Sequence, residues 1–217
     1  MQIRQSDIQG KEVATLDGER IGRLLNVVME STTGELTSLI VEPSEITPEG
    51  FELDSEGNVL QAWGGPGEGY TWFDQEHGIY IDYNDFVWLG TSNGNHIMKF
   101  TKDGNHVLTI GTPGENKGSN DPGSLGGPAN FFVEASTNEI FVADGYRNKR
   151  VVVFDAATGE YLRHWGAYGQ IPDDNYSYDY PVDPDNPPQH YSTVHGIIGS
   201  SDGLVYVADR RGNRIQA

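Results

Sequence analysis

IFVADGYRNKRVVVF, residues 140–154, is an apolar strand that runs into a polar turn and out into a second apolar strand. The design recurs as VWLGTSNGNHIMKF (87–100) and VYVADRRGNRIQ (205–216). A second pattern runs between these copies: a turn glycine, a large apolar residue six positions later, then Gly-x-x-Gly. It reads GNVLQAWGGPG from Gly57, GNHVLTIGTPG from Gly104 and GEYLRHWGAYG from Gly159. Short alternating strands joined by Gly-rich turns and repeated at this length specify propeller blades. The spacing exceeds the roughly 40–45 residues of a bare blade. The surplus falls in 112–127 and 168–190, both loops by their Gly, Asn, Ser, Asp and Pro content. The pattern begins inside a blade at Phe51 and stops inside a strand at 214–217. The expected fold is therefore all-β with almost no helix: about three blades forming an open arc.

Composition narrows the partners. The 217 residues carry 32 acidic against 14 basic side chains, a net charge of −18. That balance disfavours nucleic acid and anionic membrane and suits a soluble chain. No run of about 18 apolar residues supports a membrane span. The first residues read as ordinary polar sequence, so no signal peptide is expected and the compartment stays open. With no cysteine, disulfides and thiolate ligands are excluded.

Residues 1–43 stand apart from the repeat. Leu16-Asp17-Gly18 and Thr32-Thr33-Gly34 are hairpin signals between alternating strands at 12–16, 20–29 and 35–41. The segments Ser6-Asp7, Gly10-Lys11, Asp17-Gly18-Glu19, Ile21-Gly22, Thr33-Gly34-Glu35 and Val41-Glu42-Pro43 resemble the first half of a PRC-barrel domain. The resemblance implies a small β-barrel that serves interaction, not catalysis. A polar junction, 44–50, leads to the propeller region 51–217.

The first strand of each blade lines the axis of a propeller. The three openings read Glu76-His77-Gly78-Ile79, Gly127-Pro128-Ala129-Asn130 and Val194-His195-Gly196-Ile197. His77 and His195 thus sit on alternate blades. Imidazoles projecting from alternate blades can share a metal, as in a catalytic zinc site with open positions. Each ring can equally pair with a backbone carbonyl. Arg150 and Arg214, with Asp144 and Asp209, occupy repeat positions and read as structural ion pairs.

EHGIYID, LGGPANFFVEASTNEIFVADGYRNKRVVVFD and VHGIIGSSDGLVYVADRRGNRIQ resemble the peptidyl-α-hydroxyglycine α-amidating lyases, six-bladed propellers of NHL type. The resemblance implies that His77 and His195 match two of three zinc ligands and that Tyr146 matches the active-site tyrosine. The reaction it implies breaks the C–N bond of a peptidyl-α-hydroxyglycine, releasing a peptide amide and glyoxylate. The family's third histidine and its active-site arginine belong to blades with no counterpart here. The expectation is a truncated zinc lyase, inactive in this form, that holds zinc weakly or not at all, with calcium as a second cation to consider. Its partners would be a peptide-like small substrate and other copies of itself, joined through open blade edges. Two alternatives stay open: a non-catalytic NHL/PRC binding or scaffold module, and a chimaeric reading frame with no function of its own.

Overall fold

A computed structural model describes residues 11–14, 20–29, 36–43, 61–183 and 185–217, the first segments as backbone. The hairpin turns at 16–18 and 32–34, the junction 44–50 and the start of the propeller pattern at 51–60 lie outside the described residues. The chain forms two compact units, Met1–Gly65 and Pro66–Ala217.

In the first unit β1 (Glu12–Ala14), β2 (Arg20–Met29) and β3 (Leu36–Pro43) form one antiparallel sheet in that order. Val13 lies opposite Gly22 and Leu24 opposite Val41.

The second unit holds three antiparallel meanders. The first is β4 (Gly78–Ile81), β5 (Val87–Gly90), β6 (His96–Phe100) and β7 (His106–Gly111). The second is β8 (Pro128–Glu134), β9 (Glu139–Asp144), β10 (Arg150–Asp155) and β11 (Tyr161–Trp165). The third is β12 (Val194–Gly199), β13 (Val205–Asp209) and β14 (Arg214–Gln216). A single 3₁₀ turn, Ala167–Gly169, is the one helical element among the described residues, and no described helix is long and apolar enough to cross a membrane. The three sheets of this unit are open and close no barrel among the described residues, and together they make the arc of a partial propeller.

Local chemistry sets the turns. The Asp82 carboxylate accepts the N–H groups of Asn84 and Phe86 and then the indole N–H of Trp88 at 2.8 Å. Asp155 does the same for Ala157 and Thr158. Short polar side chains that mimic a backbone turn are the reason such positions read as punctuation in the sequence.

The alternation of each strand sends one row of side chains to each neighbouring sheet. Trp88, Ile97 and Ile110 of the first sheet meet Phe131, Val142 and Val152 of the second. The opposite face of that second sheet, through Phe132, Phe141, Val151 and Val153, meets Ile197 and Val207 of the third. Each such side chain contributes roughly 1.5–3 kcal/mol on full burial. The first strands β4, β8 and β12 lie side by side, and the Asn130 side-chain carbonyl accepts the Ile197 N–H at 3.1 Å. This packing carries the ends of those strands to one place.

Candidate functional site

Tyr146 sits in the turn after β9, and glycines make room for it. A Cβ on Gly145 would collide with the backbone of Val194, so only glycine lets this turn pass the start of β12. Gly127, at φ +78°, accepts the Tyr146 N–H at 3.2 Å and brings its backbone beneath the Tyr146 Cβ. Arg147 donates to the Asn93 carbonyl at 3.1 Å and the Asn95 side chain at 2.5 Å, which ties this turn to the first sheet.

His77, just before β4, and His195, in β12, converge on that tyrosine. Tyr146 Oη lies 2.8 Å from His77 Nε2 and 2.9 Å from His195 Nε2. The two imidazole centroids are 5.7 Å apart, nearly perpendicular. His77 Nδ1 lies 2.9 Å from the Ala129 carbonyl oxygen. A carbonyl only accepts, so Nδ1 carries the proton and, in the neutral ring, Nε2 is a lone pair. Tyr146 therefore donates its one proton to His77, and His195 donates its Nε2 proton to Tyr146. The result is a directed chain, His195 to Tyr146 to His77 to the Ala129 carbonyl.

The electrostatics favour a neutral His195 ring. Burial pushes the His195 pKa below its ordinary value, and the positive charges of Arg210 and of a protonated His77 push the same way. The Arg210 guanidinium stands 5.5 Å from the Tyr146 ring centroid. Beneath the rings lies a cleft of about 560 Å³, with His77, Ile79, His195, Ile198, Tyr206 and Ile215 among its walls. That volume falls in the range of small-molecule sites, roughly 300–1,000 Å³.

The donor set offers two corners of a zinc site. His77 holds its second nitrogen on a backbone carbonyl, the arrangement that aims a ligating Nε2. Yet no group of three or more His, Asp or Glu side chains gathers as a metal site among the described residues, which leaves zinc short of a ligand and calcium without a carboxylate cage. Arg150 is fully buried, paired with Asp144 at 2.9 Å and bonded to the carbonyls of Ser119, Asp121 and Ser124. It holds a loop in place. Arg214 pairs with Asp209 at 3.2 Å in the equivalent place.

Arg210 was not singled out from the sequence. The signal was present: the repeat reads Ala143-Asp144-Gly145 in one copy and Ala208-Asp209-Arg210 in the next. A large cation replaces the glycine where the turn faces the site.

Comparison with known proteins gives two kinds of match, which overlap in the first propeller sheet. The PRC-barrel domain family matches residues 1–102, running past residue 43 and into the first propeller sheet. NHL repeat-containing protein 3 of Homo sapiens is 27% identical over 180 residues, covering 78% of this chain and 44% of that protein. Peptidyl-alpha-hydroxyglycine alpha-amidating lyase 1 of Drosophila melanogaster is 30% identical over 167 residues, covering 74% of this chain and 27% of that protein. The chain thus has a PRC-barrel match over its first part and distant, low-identity homology to NHL-repeat and lyase propeller proteins. It spans less than half the length of these two relatives. A crystal structure of a structural-genomics protein from Bacteroides thetaiotaomicron superposes with a TM-score of 0.52 at 14% identity, over 90% of this chain and 49% of that one. That likeness concerns the fold alone.

Proposed function

We propose that Pro66–Ala217 is part of a lyase-type propeller site of the amidating class, which splits a peptidyl-α-hydroxyglycine into a peptide amide and glyoxylate. The observation that carries this reading is the convergence of His77 Nε2 and His195 Nε2 on Tyr146 Oη. The homology to an amidating lyase supports it. In the reaction the substrate hydroxyl loses its proton, its oxygen becomes the aldehyde carbonyl, and the C–N bond breaks with its electron pair on nitrogen. In this reading Tyr146 takes the hydroxyl proton, with His77 Nε2 receiving the tyrosine's own proton. The same chain, run backward, returns a proton to the amide nitrogen. Arg210 keeps positive charge beside Tyr146 and favours a carboxylate-bearing substrate there. Zinc held by His77 and His195 would supply Lewis-acid polarisation of the hydroxyl; it would take the His77 Nε2 lone pair, so the relay through His77 belongs to the metal-free site.

The 217-residue chain by itself is incomplete in this reading. Two imidazoles give a weak metal site, and positioning and charge stabilisation can each be worth several kcal/mol of barrier. The PRC-barrel domain serves interaction, and the open propeller sheets serve self-association. The test is glyoxylate release from a synthetic α-hydroxyglycyl peptide, with zinc titrated by calorimetry. Weak zinc binding lost in His77→Ala and in His195→Ala, with no turnover above zinc alone, is expected. Turnover by the chain that disappears in Tyr146→Phe would show a complete site, and zinc binding indifferent to both histidines would remove the lyase reading.

A further inference from the structure

We propose that His96 is a pH-dependent clasp on the loop that delivers His77: as an imidazolium it holds the loop, and as a neutral ring it loosens it. The proposal goes beyond the lyase reading and stands whether or not the site turns over substrate.

The same clasp is built twice more in this unit. The three sheets share a register in which Gly90 opposite Ile97 matches Ala143 opposite Val151 and Ala208 opposite Ile215. One residue nearer the turn, the third strand of each sheet carries His96 in the first, Arg150 in the second and Arg214 in the third. Each arginine donates to carbonyls of the loop that enters its own sheet. Arg150 reaches Ser119, Asp121 and Ser124, and Arg214 reaches Pro188 and His190. His96 does likewise. Its Nε2 lies 3.0 Å from the carbonyl oxygen of Thr71, in the stretch that leads to His77 and β4.

The imidazole differs from the arginines in two respects. Its second nitrogen is also on a carbonyl, with Nδ1 2.8 Å from the oxygen of Gly94. A carbonyl only accepts, a neutral ring has one N–H and an imidazolium has two. Both contacts are therefore hydrogen bonds in the charged ring alone, and in the neutral ring one carbonyl faces a lone pair. The counter-charge is also gone. Asp144 and Asp209 pair with the two arginines, and Thr91 stands in their place in the first sheet. A guanidinium keeps its proton throughout, whereas histidine ordinarily changes charge between about pH 5 and 8. Two entry loops are thus fixed permanently, and the one before His77 is fixed by a proton.

The surroundings make the loop answer to that proton. His96 is 1% exposed, so a bond it fails to make is costly. Its ring lies on Phe73, centroids 4.8 Å apart, and a Cβ on Gly94 would stand 3.2 Å from it. The charged and titratable groups on the elements around it have other places. Glu76 accepts from the Trp72 indole, Arg147 holds Asn93 and Asn95, Lys99 donates to Ala156, and His106 bonds Thr109. Glu115 and Lys117, in the loop whose Gly114 N–H also reaches the Gly94 carbonyl, pair with each other. Glu68 and Asp74 are exposed. Tyr70 and Trp72 pack on Phe100 at 5.4 and 5.9 Å, so losing one carbonyl loosens the loop without undocking it.

Hydrogen exchange of 70–77 and NMR of the chain labelled with ¹⁵N-histidine test this. At about pH 5.5 both His96 ring nitrogens should carry protons, and protection of 70–77 should fall several-fold as pH is raised to about 8. The loops held by Arg150 and Arg214 should keep their protection over the same range. His96→Arg should make the protection of 70–77 flat with pH, and His96→Gln should leave it at the looser level throughout. Wild-type protection that is flat with pH overturns the proposal. So does a His96→Gln chain whose loop still loosens as pH rises, since another group would then be titrating. Should the arginine not fit, the wild-type ring signals decide: one protonated nitrogen across the range, with the loop still protected, also overturns it.

Discussion

Tyr146 has one hydroxyl and two imidazoles to serve, and that shortage governs what the site can hold. The lone pair on His77 Nε2 accepts from Tyr146 or binds a cation, but not both. Tyr146→Phe removes the competitor without emptying the space. It should tighten zinc binding several-fold by calorimetry, whereas His77→Ala should abolish it. Weaker binding in Tyr146→Phe would mean that the phenol is itself a ligand. His195 makes a second, pH-dependent demand. Its folded pKa lies below the ordinary 6.5, so between those two values the unfolded chain binds the proton and the folded chain does not. The neutral ring therefore costs stability that is absent well above pH 6.5 and grows as pH falls through it. His195→Gln should narrow the gap between urea midpoints measured above and below that pH. An unchanged gap would assign the acid sensitivity elsewhere. The repeat reads His77 and His195 at the openings of alternate blades, but the hydrogen bonds that join them through Tyr146 span 69 and 49 positions and are not legible in the sequence.

At the scale of the strand and its turn, the sequence was far more legible. The segment 140–154 reads as strand, turn, strand, and β9 and β10 pair in that order with Arg150 opposite Asp144. The repeat reading of Asp144 and Arg150 as a structural pair agrees with their complete burial. Removing one partner of a buried pair leaves an uncompensated charge, a loss of about 3–5 kcal/mol. Asp144→Ala should show a loss of that order in urea unfolding. Asp209→Ala should lose less, because Arg214 keeps some exposure to water. Equal losses would contradict the account based on desolvation. What the turn hides is its glycine. Gly145 looks like any turn residue, yet its missing Cβ is what lets β12 pass beside Tyr146. Only the three-dimensional approach of a segment some fifty residues away reveals that need.

For the whole molecule, periodicity carried the prediction of three sheets, since the repeat is a statement about nearest neighbours that survives without coordinates. It could not fix which faces go uncovered, because the apolar pattern of an end sheet is the same as that of a middle one. Arg210 escaped for the converse reason: a residue that departs from the repeat is invisible to an argument built on likeness. Among the described residues the second sheet is packed on both faces, against the first through Phe131 and Val142 and against the third through Phe132 and Phe141. A row of units coupled only to its neighbours loses order from its ends inward. Amide hydrogens of β8, β9 and β10 should thus exchange with deuterium only when the whole unit opens, while those of β4 and β14 exchange through local fraying. Uniform protection across the three sheets would refute that gradient. A lesion at either end is then a local wound, whereas one in the middle sheet divides the molecule.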